Sequence, residues 1–199
     1  YYPTEVGTPH PHLTRDLFGD GLKACKDAGI GVVAYLAISP VSPVTANSHP
    51  EWCKHMPDGT IWEAREKTCF ACANTGWVEN FLTPHFKELA ERYDVDGVFL
   101  DGVYQFFNHV CYCDECRRQF GRDLPDGPTH PNWRAWIDFQ VRSVWSRFGK
   151  SAEELKQTRA TCLMGINWLS AARWSVPPPA SMGYLTGDPP MNNATFDTA

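Results

Sequence analysis

Residues 93–102 read Tyr-Asp-Val-Asp-Gly-Val-Phe-Leu-Asp-Gly. The short apolar run at 98–100 lies between Gly97 and Gly102, which predicts a buried strand. Asp101 follows the last apolar residue, so we expect its carboxylate at the C-terminal end of that strand. Ligands bind at this end of the strands in parallel α/β folds. Asp-Gly pairs also commonly cap turns, so the position by itself leaves a purely structural role open.

The rest of the chain alternates between helical and strand patterns. Helices are predicted from Thr14, from near Thr75 and over 132–149, because apolar residues recur there at helical spacing. Nearly continuous apolar runs are typical of strands buried on both faces. Parallel, neighbouring strands are predicted near 31–37, 97–101, 161–167 and 183–187.

This order of elements predicts an α/β fold. Four strands are too few for a (β/α)8 TIM barrel, whose full form takes about 250 residues. The prediction is therefore a partial barrel, formed by a single domain over residues 1–199 and incomplete at both ends. Because an open barrel leaves apolar surface uncovered, a homo-oligomer or missing chain segments are expected to cover it.

Composition narrows the class of protein. Apolar residues make up 43% and charged residues 21% of the 199 residues, as in an ordinary globular protein. The formal net charge of −5 gives no basic surface, which argues against nucleic acid as a partner. No apolar run approaches the roughly 20 residues that cross a membrane, so no membrane partner is predicted.

Eight cysteines are unevenly spaced in a chain too large to need disulfides for stability. This pattern favours metal ligation and free thiols in a reducing compartment. Since no signal peptide is visible, the cytoplasm is the favoured location. The cluster Cys-Tyr-Cys-Asp-Glu-Cys at 111–116 is the strongest metal-binding pattern.

Three polar side chains follow predicted strands: Asp101, Asn167 and Asp188. Hydrolysis of a glycosidic bond needs two carboxyl groups, about 5 Å apart when the anomeric configuration is retained. A barrel brings the C-terminal ends of its strands to one mouth, where Asp101 and Asp188 can form such a pair. Aspartates at strand ends are also common in turns, and that interpretation stays open.

Several pieces of the sequence together resemble the hypothetical glycosyl hydrolase family 6. They are the 93–102 stretch, the 111–116 cluster with Phe120, His49-Pro50-Glu51-Trp52 and Cys72-Ala73-Asn74-Thr75. The resemblance extends from Tyr1 to about Asp188. It implies a TIM-barrel glycosidase related to α-L-fucosidases and family 42 β-galactosidases, acting on O-glycosidic bonds of a carbohydrate substrate.

The two related groups imply different roles for Asp101. In α-L-fucosidases the Asp that ends a similar strand is the nucleophile, whereas the acidic residue at that strand end in family 42 galactosidases is the general acid/base. We prefer the nucleophile, because the 93–102 stretch is closer to the fucosidase strand. Asp188 is then the acid/base, although related sequences usually carry Glu in that setting.

The resemblance also implies a structural zinc ion. Family 42 galactosidases hold zinc with a C-x-C-x2-C cluster and one Cys upstream of an Asn-Ser/Thr pair. The matching residues here are Cys111, Cys113, Cys116 and Cys72, with Cys69 as the alternative fourth ligand. Four thiolates would leave no open coordination position, so the ion would have a structural role. The three remaining cysteines, Cys25, Cys53 and Cys162, are expected to be buried thiols.

Other residues near the predicted barrel mouth are interpreted as sugar-binding. Loop residues His10, His12, His49 and Trp52 would rim the mouth, and Asn167 and Tyr104 would donate hydrogen bonds to Asp101. Exposed histidines without a role are common in loops. Tyr35 is interpreted as a residue of the barrel core.

Two functions from different classes follow. The first is a retaining glycosidase catalytic domain, favoured by the Asp101 strand and the long aromatic loops. The second is a zinc-stabilised carbohydrate-binding or scaffold domain without catalysis, favoured by Asp at position 188 and by the small number of strands.

Overall fold

The protein is described by a computed structural model that covers residues 2–39, 41–64, 68–102, 110–167, 180–182 and 184–186. Its centre is a sheet of four parallel strands in the order β1-β2-β3-β4. The strands are β1 Val33–Ala37, β2 Gly97–Asp101, β3 Leu163–Asn167 and β4 Tyr184–Thr186. The sequence-based prediction of four adjacent, parallel strands in an α/β fold is therefore confirmed.

The α-helices are α1 Leu17–Asp27, α2 Pro43–Ser48, α3 Thr83–Arg92, α4 Asp114–Phe120 and α5 Trp133–Thr158. A 3-10 turn spans Pro50–Trp52, and a π-helical segment, Trp77–Leu82, leads directly into α3. Helix α1 begins two residues later than predicted. Its N-cap is Asp16 rather than Thr14, because the Asp16 side chain accepts the capping hydrogen bond from the Gly19 amide.

Helix α5 continues well beyond Gly149, where the sequence pattern placed its end. Gly149 is buried inside the helix, and the buried stripe goes on through Ala152 and Leu155 to the last turn. A glycine in a helix interior costs about 1 kcal/mol relative to alanine. The apolar surface that Leu155 and its neighbours bury against the core outweighs that cost, so the helix does not stop there.

Among the described residues, the hydrophobic core lies on one face of the sheet. Ala34, Val98, Leu100, Met164 and Ile166 point into it, and apolar side chains from α1, α3 and α5 pack against them. This arrangement explains the apolar periodicity of those three helices.

The opposite face of the sheet is partly open, and this corrects the prediction that the strands are buried on both faces. Val33 is 48%, Tyr35 62% and Leu163 41% exposed. The described helices pack on the other face, so the side chains that alternate toward this one meet solvent. We call the surface formed by Val33, Tyr35, Phe99, Asp101 and Leu163 the open face.

A disulfide between Cys53 and Cys69 corrects a second expectation. Cys53 was predicted to be a free thiol and Cys69 to be an alternative metal ligand, but the two are bonded to each other. Antiparallel bridges pair Cys53 with Ala71 and Glu63 with Cys69, which brings the two sulfurs together. The argument for a reducing compartment from wholly reduced cysteines therefore fails. Cys162 is a buried free thiol as expected, whereas Cys25 is only partly buried.

No helix among the described residues is both long and apolar enough to cross a membrane.

Candidate functional site

The last residue of β2, Asp101, lies at the C-terminal edge of the sheet. It pairs with Ala37 of β1, and its carbonyl oxygen accepts a hydrogen bond from the Ile38 amide at 2.9 Å. Its side chain is partly exposed on the open face. The structure thus places this carboxylate where the sequence predicted it, at the end of the strand and within reach of solvent.

Three hydrogen-bond donors hold the Asp101 carboxylate. The Asn167 side-chain amide donates to Oδ1 at 3.0 Å, and the Gly102 backbone amide donates to the same oxygen at 2.8 Å. The Tyr35 hydroxyl donates to Oδ2. Gly102 has a φ of 91°, a left-handed conformation that glycine adopts without strain. Together these donors fix the position of both carboxylate oxygens.

Asn167 meets the expectation that it would donate to Asp101, whereas Tyr35 is a residue whose role sequence reasoning missed. Tyr35 was assigned to a barrel core, yet it stands on the open face with its hydroxyl on the carboxylate. Strand alternation contained the signal. Tyr35 lies two residues before Ala37, the partner of Asp101, so both side chains point to the same face.

Four cysteines form a second site, which we call the cysteine cluster: Cys72, Cys111, Cys113 and Cys116. Their sulfurs all lie within 4.8 Å of one another and the four residues are buried. The Cys72 sulfur is 3.4 Å from that of Cys116 and 3.7 Å from that of Cys113. The structure thus brings Cys72 to the 111–116 loop, as the resemblance implied, while the disulfide removes Cys69 as an alternative.

The surrounding chain holds the cysteine cluster in place. The Gln140 side chain of α5 accepts from the Cys111 amide at 3.4 Å and donates to the Cys111 carbonyl at 3.2 Å. The Tyr112 amide donates to the His55 carbonyl at 2.9 Å, which joins the loop to the disulfide-linked hairpin. Trp136, Phe120 and the ring of Tyr112 pack around the loop in a small core of their own.

Lysine 54 is buried close to the cysteine cluster, with only 2% of its surface exposed. Burial lowers the pKa of its ammonium group, and the negative charge of the four cysteines opposes that effect. Lysine is almost never fully buried unless it is paired. The sequence pattern did not reveal this buried lysine beside the cysteine cluster.

The donor set of the cysteine cluster fits a metal ion. Hydrogen bonding with Cys111 chiefly, then with Cys113 and Cys116, and burial all raise the pKa of the Cys72 thiol. Four ionised sulfurs at these distances would repel one another, so a cation between them would stabilise that state. The Cys72 sulfur lies 3.4 and 3.7 Å from those of Cys116 and Cys113, close enough for one metal ion to contact all three.

The structure places His49 and Trp52 in one cavity of about 530 Å³. Their rings stack with centroids 3.8 Å apart, and Trp52 is only 7% exposed, so His49 covers one face of the indole. Asn80 and Phe81 line the same cavity. His10 and His12 are exposed neighbours, with ring centroids 5.5 Å apart. Asp188 and Tyr104 lie outside the described residues.

The family model described as hypothetical glycosyl hydrolase 6 matches residues 1–102. No curated protein gives a significant match to the sequence.

Several solved structures share the fold. An α-L-fucosidase isoenzyme 2 from Paenibacillus thiaminolyticus aligns with a TM-score of 0.68 at 22% identity, covering 83% of this chain and 24% of the fucosidase. A cold-adapted β-galactosidase from Rahnella sp. R3 gives a TM-score of 0.66 at 16% identity, covering 94% and 34%. A β-galactosidase from the haloarchaeon Halorubrum lacusprofundi gives 0.60 at 18% identity, covering 80% and 30%.

The chain spans between a quarter and a third of the length of these structures, and at such identities the likeness concerns the fold. The family match covers the first half of the chain, including β1, β2 and Asp101. On this match, the chain belongs to the family described as hypothetical glycosyl hydrolase 6.

Proposed function

We propose that this chain is part of the catalytic domain of a retaining glycoside hydrolase, in which Asp101 is the nucleophile. The observation that carries the proposal is the Asp101 carboxylate itself, which ends β2 on the open face with donors on both oxygens. A nucleophilic carboxylate must be oriented toward the substrate, and these hydrogen bonds hold Asp101 in one orientation. Membership of a glycosyl hydrolase family supports the same reaction class.

The arrangement of donors favours attack through Oδ2. Oδ1 accepts from both Asn167 and Gly102, while Oδ2 accepts from Tyr35. A carboxylate oxygen has two lone-pair directions, so Oδ2 keeps one for the bond to the anomeric carbon. As that bond forms, the glycosidic C–O bond breaks and the leaving oxygen takes a proton from an acid. Water then attacks the glycosyl ester, returning the proton to the acid/base and freeing the Asp101 carboxylate.

Asp188 is our proposed acid/base, on the strength of its position just after β4, the strand that follows Asn167 in the sheet. Retention would need its carboxyl group about 5–5.5 Å from that of Asp101, and about 6.5–9.5 Å would correspond to inversion. The carbohydrate substrate would reach the pair at the C-terminal edge of the sheet.

The proposed sugar contacts divide into two groups. Asn167 and Tyr104 would act beside Asp101. The cavity of His49 and Trp52 combines an aromatic wall with polar groups, a composition that suits saccharides, and Thr45 and Ser48 add hydroxyl groups to it. His10 and His12 are exposed and could donate hydrogen bonds to sugar hydroxyls from the N-terminal loop.

The open face supports the proposal of a partial (β/α)8 barrel. Parallel sheets are covered on both faces in known folds. Here helices cover one face, and apolar side chains remain exposed on the other. Further β/α units that closed the barrel would bury Val33, Phe99 and Leu163 and leave Asp101 at its mouth.

We further propose that the cysteine cluster binds one Zn²⁺ with a structural role. When bound, the ion would supply charge neutralisation and a cross-link, not reactivity, since four sulfurs fill a tetrahedral shell. Cys72, Cys111, Cys113 and Cys116 would hold it. Their loop follows β2, so the cross-link would stabilise the chain beyond Asp101.

The test is turnover of a panel of nitrophenyl glycosides by the protein carrying the complete barrel. We expect Asp101→Ala to abolish turnover and azide to restore part of it as a glycosyl azide. The matched control is Asp94→Ala, which removes an exposed carboxylate at the opposite end of the same strand and should leave turnover unchanged. Undiminished activity of Asp101→Ala would exclude the nucleophile. Saccharide binding without any turnover would instead identify a binding domain.

A further inference from the structure

We infer that Asn74 is a positioning residue of the cysteine cluster, which donates a hydrogen bond to the Cys116 sulfur and orients that sulfur for metal binding. The Asn74 Nδ2 lies 3.3 Å from the Cys116 Sγ. Asn74 is 4% exposed and sits two residues after Cys72, so one short turn contributes both a ligand and a donor. The inference rests on the proposed metal binding and adds a residue to it.

The backbone fixes this turn. The Thr75 hydroxyl donates to the Cys72 carbonyl at 2.8 Å, and the Asn74 carbonyl accepts from the Gln119 side chain of α4 at 3.3 Å. Gln119 lies one turn after Cys116 on the same helix. The contact therefore joins the two chain segments that must meet for the cysteine cluster to close.

The Asn74 amide turns its nitrogen, not its oxygen, toward the Cys116 sulfur. Its Oδ1 is buried and has no hydrogen-bond partner, which is an unfavourable state for a carbonyl oxygen. Rotating the amide by 180° would place Oδ1 against the Cys116 sulfur and remove the hydrogen bond to it. The observed orientation keeps that bond at the expense of Oδ1, so the contact with the sulfur is the one that this turn is built around.

Backbone amides also donate hydrogen bonds to a sulfur of the cysteine cluster. The amides of His55 and Cys113 donate to the Cys111 sulfur at 3.5 and 3.4 Å. Asn74 differs from the backbone donors, because its contribution can be removed by substitution.

Asn74 also borders the cavities beside the cysteine cluster, whereas Cys116, which is 0% exposed, lines neither of them. Asn74 lines a cavity of about 450 Å³ together with Cys113, Gly76 and Thr75, and it borders a second cavity along α5. A shorter side chain would connect these spaces to Cys116. Loss of Asn74 should therefore weaken the metal site and also admit chelators to it.

The experiment titrates the metal-free 199-residue chain with Zn²⁺ or Co²⁺ alone, in competition with a chromophoric chelator. Removing a residue that orients a metal ligand typically weakens metal affinity by about 10–100-fold, and we expect this for Asn74→Ala. The sulfur-to-Co²⁺ charge-transfer bands should shift, because the Cys116 thiolate loses its hydrogen bond. Metal transfer to the chelator should be faster.

Two further variants complete the test. Asn74→Asp keeps the shape of the side chain, so it addresses the loss of the donor even if Asn74→Ala does not fold; it should bind Co²⁺ more weakly than the parent with shifted bands. Asn132→Ala is the matched control, since it removes an asparagine amide that donates to the Asp123 carbonyl at 2.9 Å and not to a cysteine sulfur. Its affinity and spectrum should equal those of the parent.

The outcomes separate the two levels of the proposal. A parent chain that binds neither metal would overturn the metal site, and the inference with it. A parent that binds metal, with Asn74→Asp or Asn74→Ala matching its affinity and its Co²⁺ bands, would overturn the role of Asn74 and leave the metal site intact.

Discussion

The hydroxyl of Tyr35 is the part of the Asp101 environment that a single substitution can remove with little disturbance. Tyr35 stands on the open face, so replacing it with Phe creates no cavity in the core. A hydrogen bond to a charged group contributes about 1.5–3 kcal/mol. If Asp101 is the nucleophile, Tyr35 contributes that amount to holding Oδ2 for attack.

We predict that Tyr35→Phe lowers kcat at least roughly tenfold, since each 1.4 kcal/mol of lost transition-state stabilisation is tenfold in rate. Thermal stability should change little. Steady-state kinetics in the complete barrel and a melting curve measure the two effects. The control is Tyr93→Phe, which removes a hydroxyl that donates at 2.6 Å to another aspartate, Asp16. Equal losses of kcat in both variants would mean that Tyr35 has no specific part in the reaction.

Among the elements, the hairpin closed by Cys53 and Cys69 lies next to the cysteine cluster without sharing a ligand with it. The Cys72 amide donates to the Trp52 carbonyl at 2.8 Å, directly beside the disulfide. The disulfide and the cysteine cluster are therefore neighbours in sequence and in space. Replacing the cysteines of one while keeping those of the other separates their contributions.

We predict that replacing Cys53 and Cys69 together with Ser lowers the free energy of unfolding by about 3 kcal/mol, the value expected for a cross-link that closes a loop of this length. Their sequence separation is 16. Metal content should stay at the parent level, because neither sulfur belongs to the cysteine cluster. Guanidinium unfolding and elemental analysis measure the two quantities. Loss of metal in this double variant would restore Cys69 as a ligand.

Helix α3 is joined to the N-terminal segment through one buried carboxylate, Glu88. It accepts from the hydroxyls of Tyr2 and Thr4 at 2.8 and 2.6 Å, from the Glu5 amide at 2.6 Å and from Arg92 at 2.7 Å. Burial opposes ionisation, but these four donors outweigh it and hold the pKa of Glu88 below its usual value. The segment is thus attached by a charge-dependent contact.

Because the pKa of Glu88 is lower in the folded than in the unfolded state, its stabilisation is complete above the unfolded value near 4.5 and is lost as the pH falls through the folded value. We predict that Glu88→Gln destabilises the protein by about 2 kcal/mol at pH 7. The difference between parent and variant should shrink below pH 4.5 in urea unfolding measured at several pH values. A difference that stayed constant down to pH 3 would contradict the assignment.

At the scale of the whole molecule, the open face is the side of the sheet that none of the described helices covers. Val33 and Leu163 lie on it beside Tyr35, and large apolar side chains in a contiguous exposed group favour association. If further β/α units cover this face, the same side chains are stabilising in the complete barrel and a liability in the isolated chain.

We predict that Leu163→Glu reduces self-association of the isolated chain and destabilises the complete barrel by about 2–5 kcal/mol, as a charge buried without a partner does. Light scattering measures the first effect and chemical unfolding the second. As a control, Leu17→Glu changes an exposed leucine of α1, 46% exposed, away from the open face, and should have neither effect. A parent chain that is already a cooperatively melting monomer would count against the partial barrel.

The sequence by itself determined the strands and the chemistry of their ends. Short apolar runs bounded by Gly and Asp predicted β2 correctly, because a buried strand needs continuous apolar residues and a defined end. Strand alternation and position placed Asn167 and Asp101 at one edge. The C-x-C-x2-C spacing identified three members of the cysteine cluster, since three sulfurs on one tight loop can meet around one ion.

Only the tertiary structure decided which residues from distant segments complete these sites. Cys69 was the alternative to Cys72 as the fourth ligand, yet bridges across a hairpin pair Cys69 with Cys53 and leave Cys72 for the cluster. Tyr35 binds Asp101 and Asn74 binds Cys116 across 66 and 42 residues of sequence. The burial of Lys54 likewise depends on packing between distant segments. Alternation along a strand determines which face of the sheet a side chain points to. Whether that face is buried depends on which side of the sheet the helices pack against, and that is set by the tertiary structure.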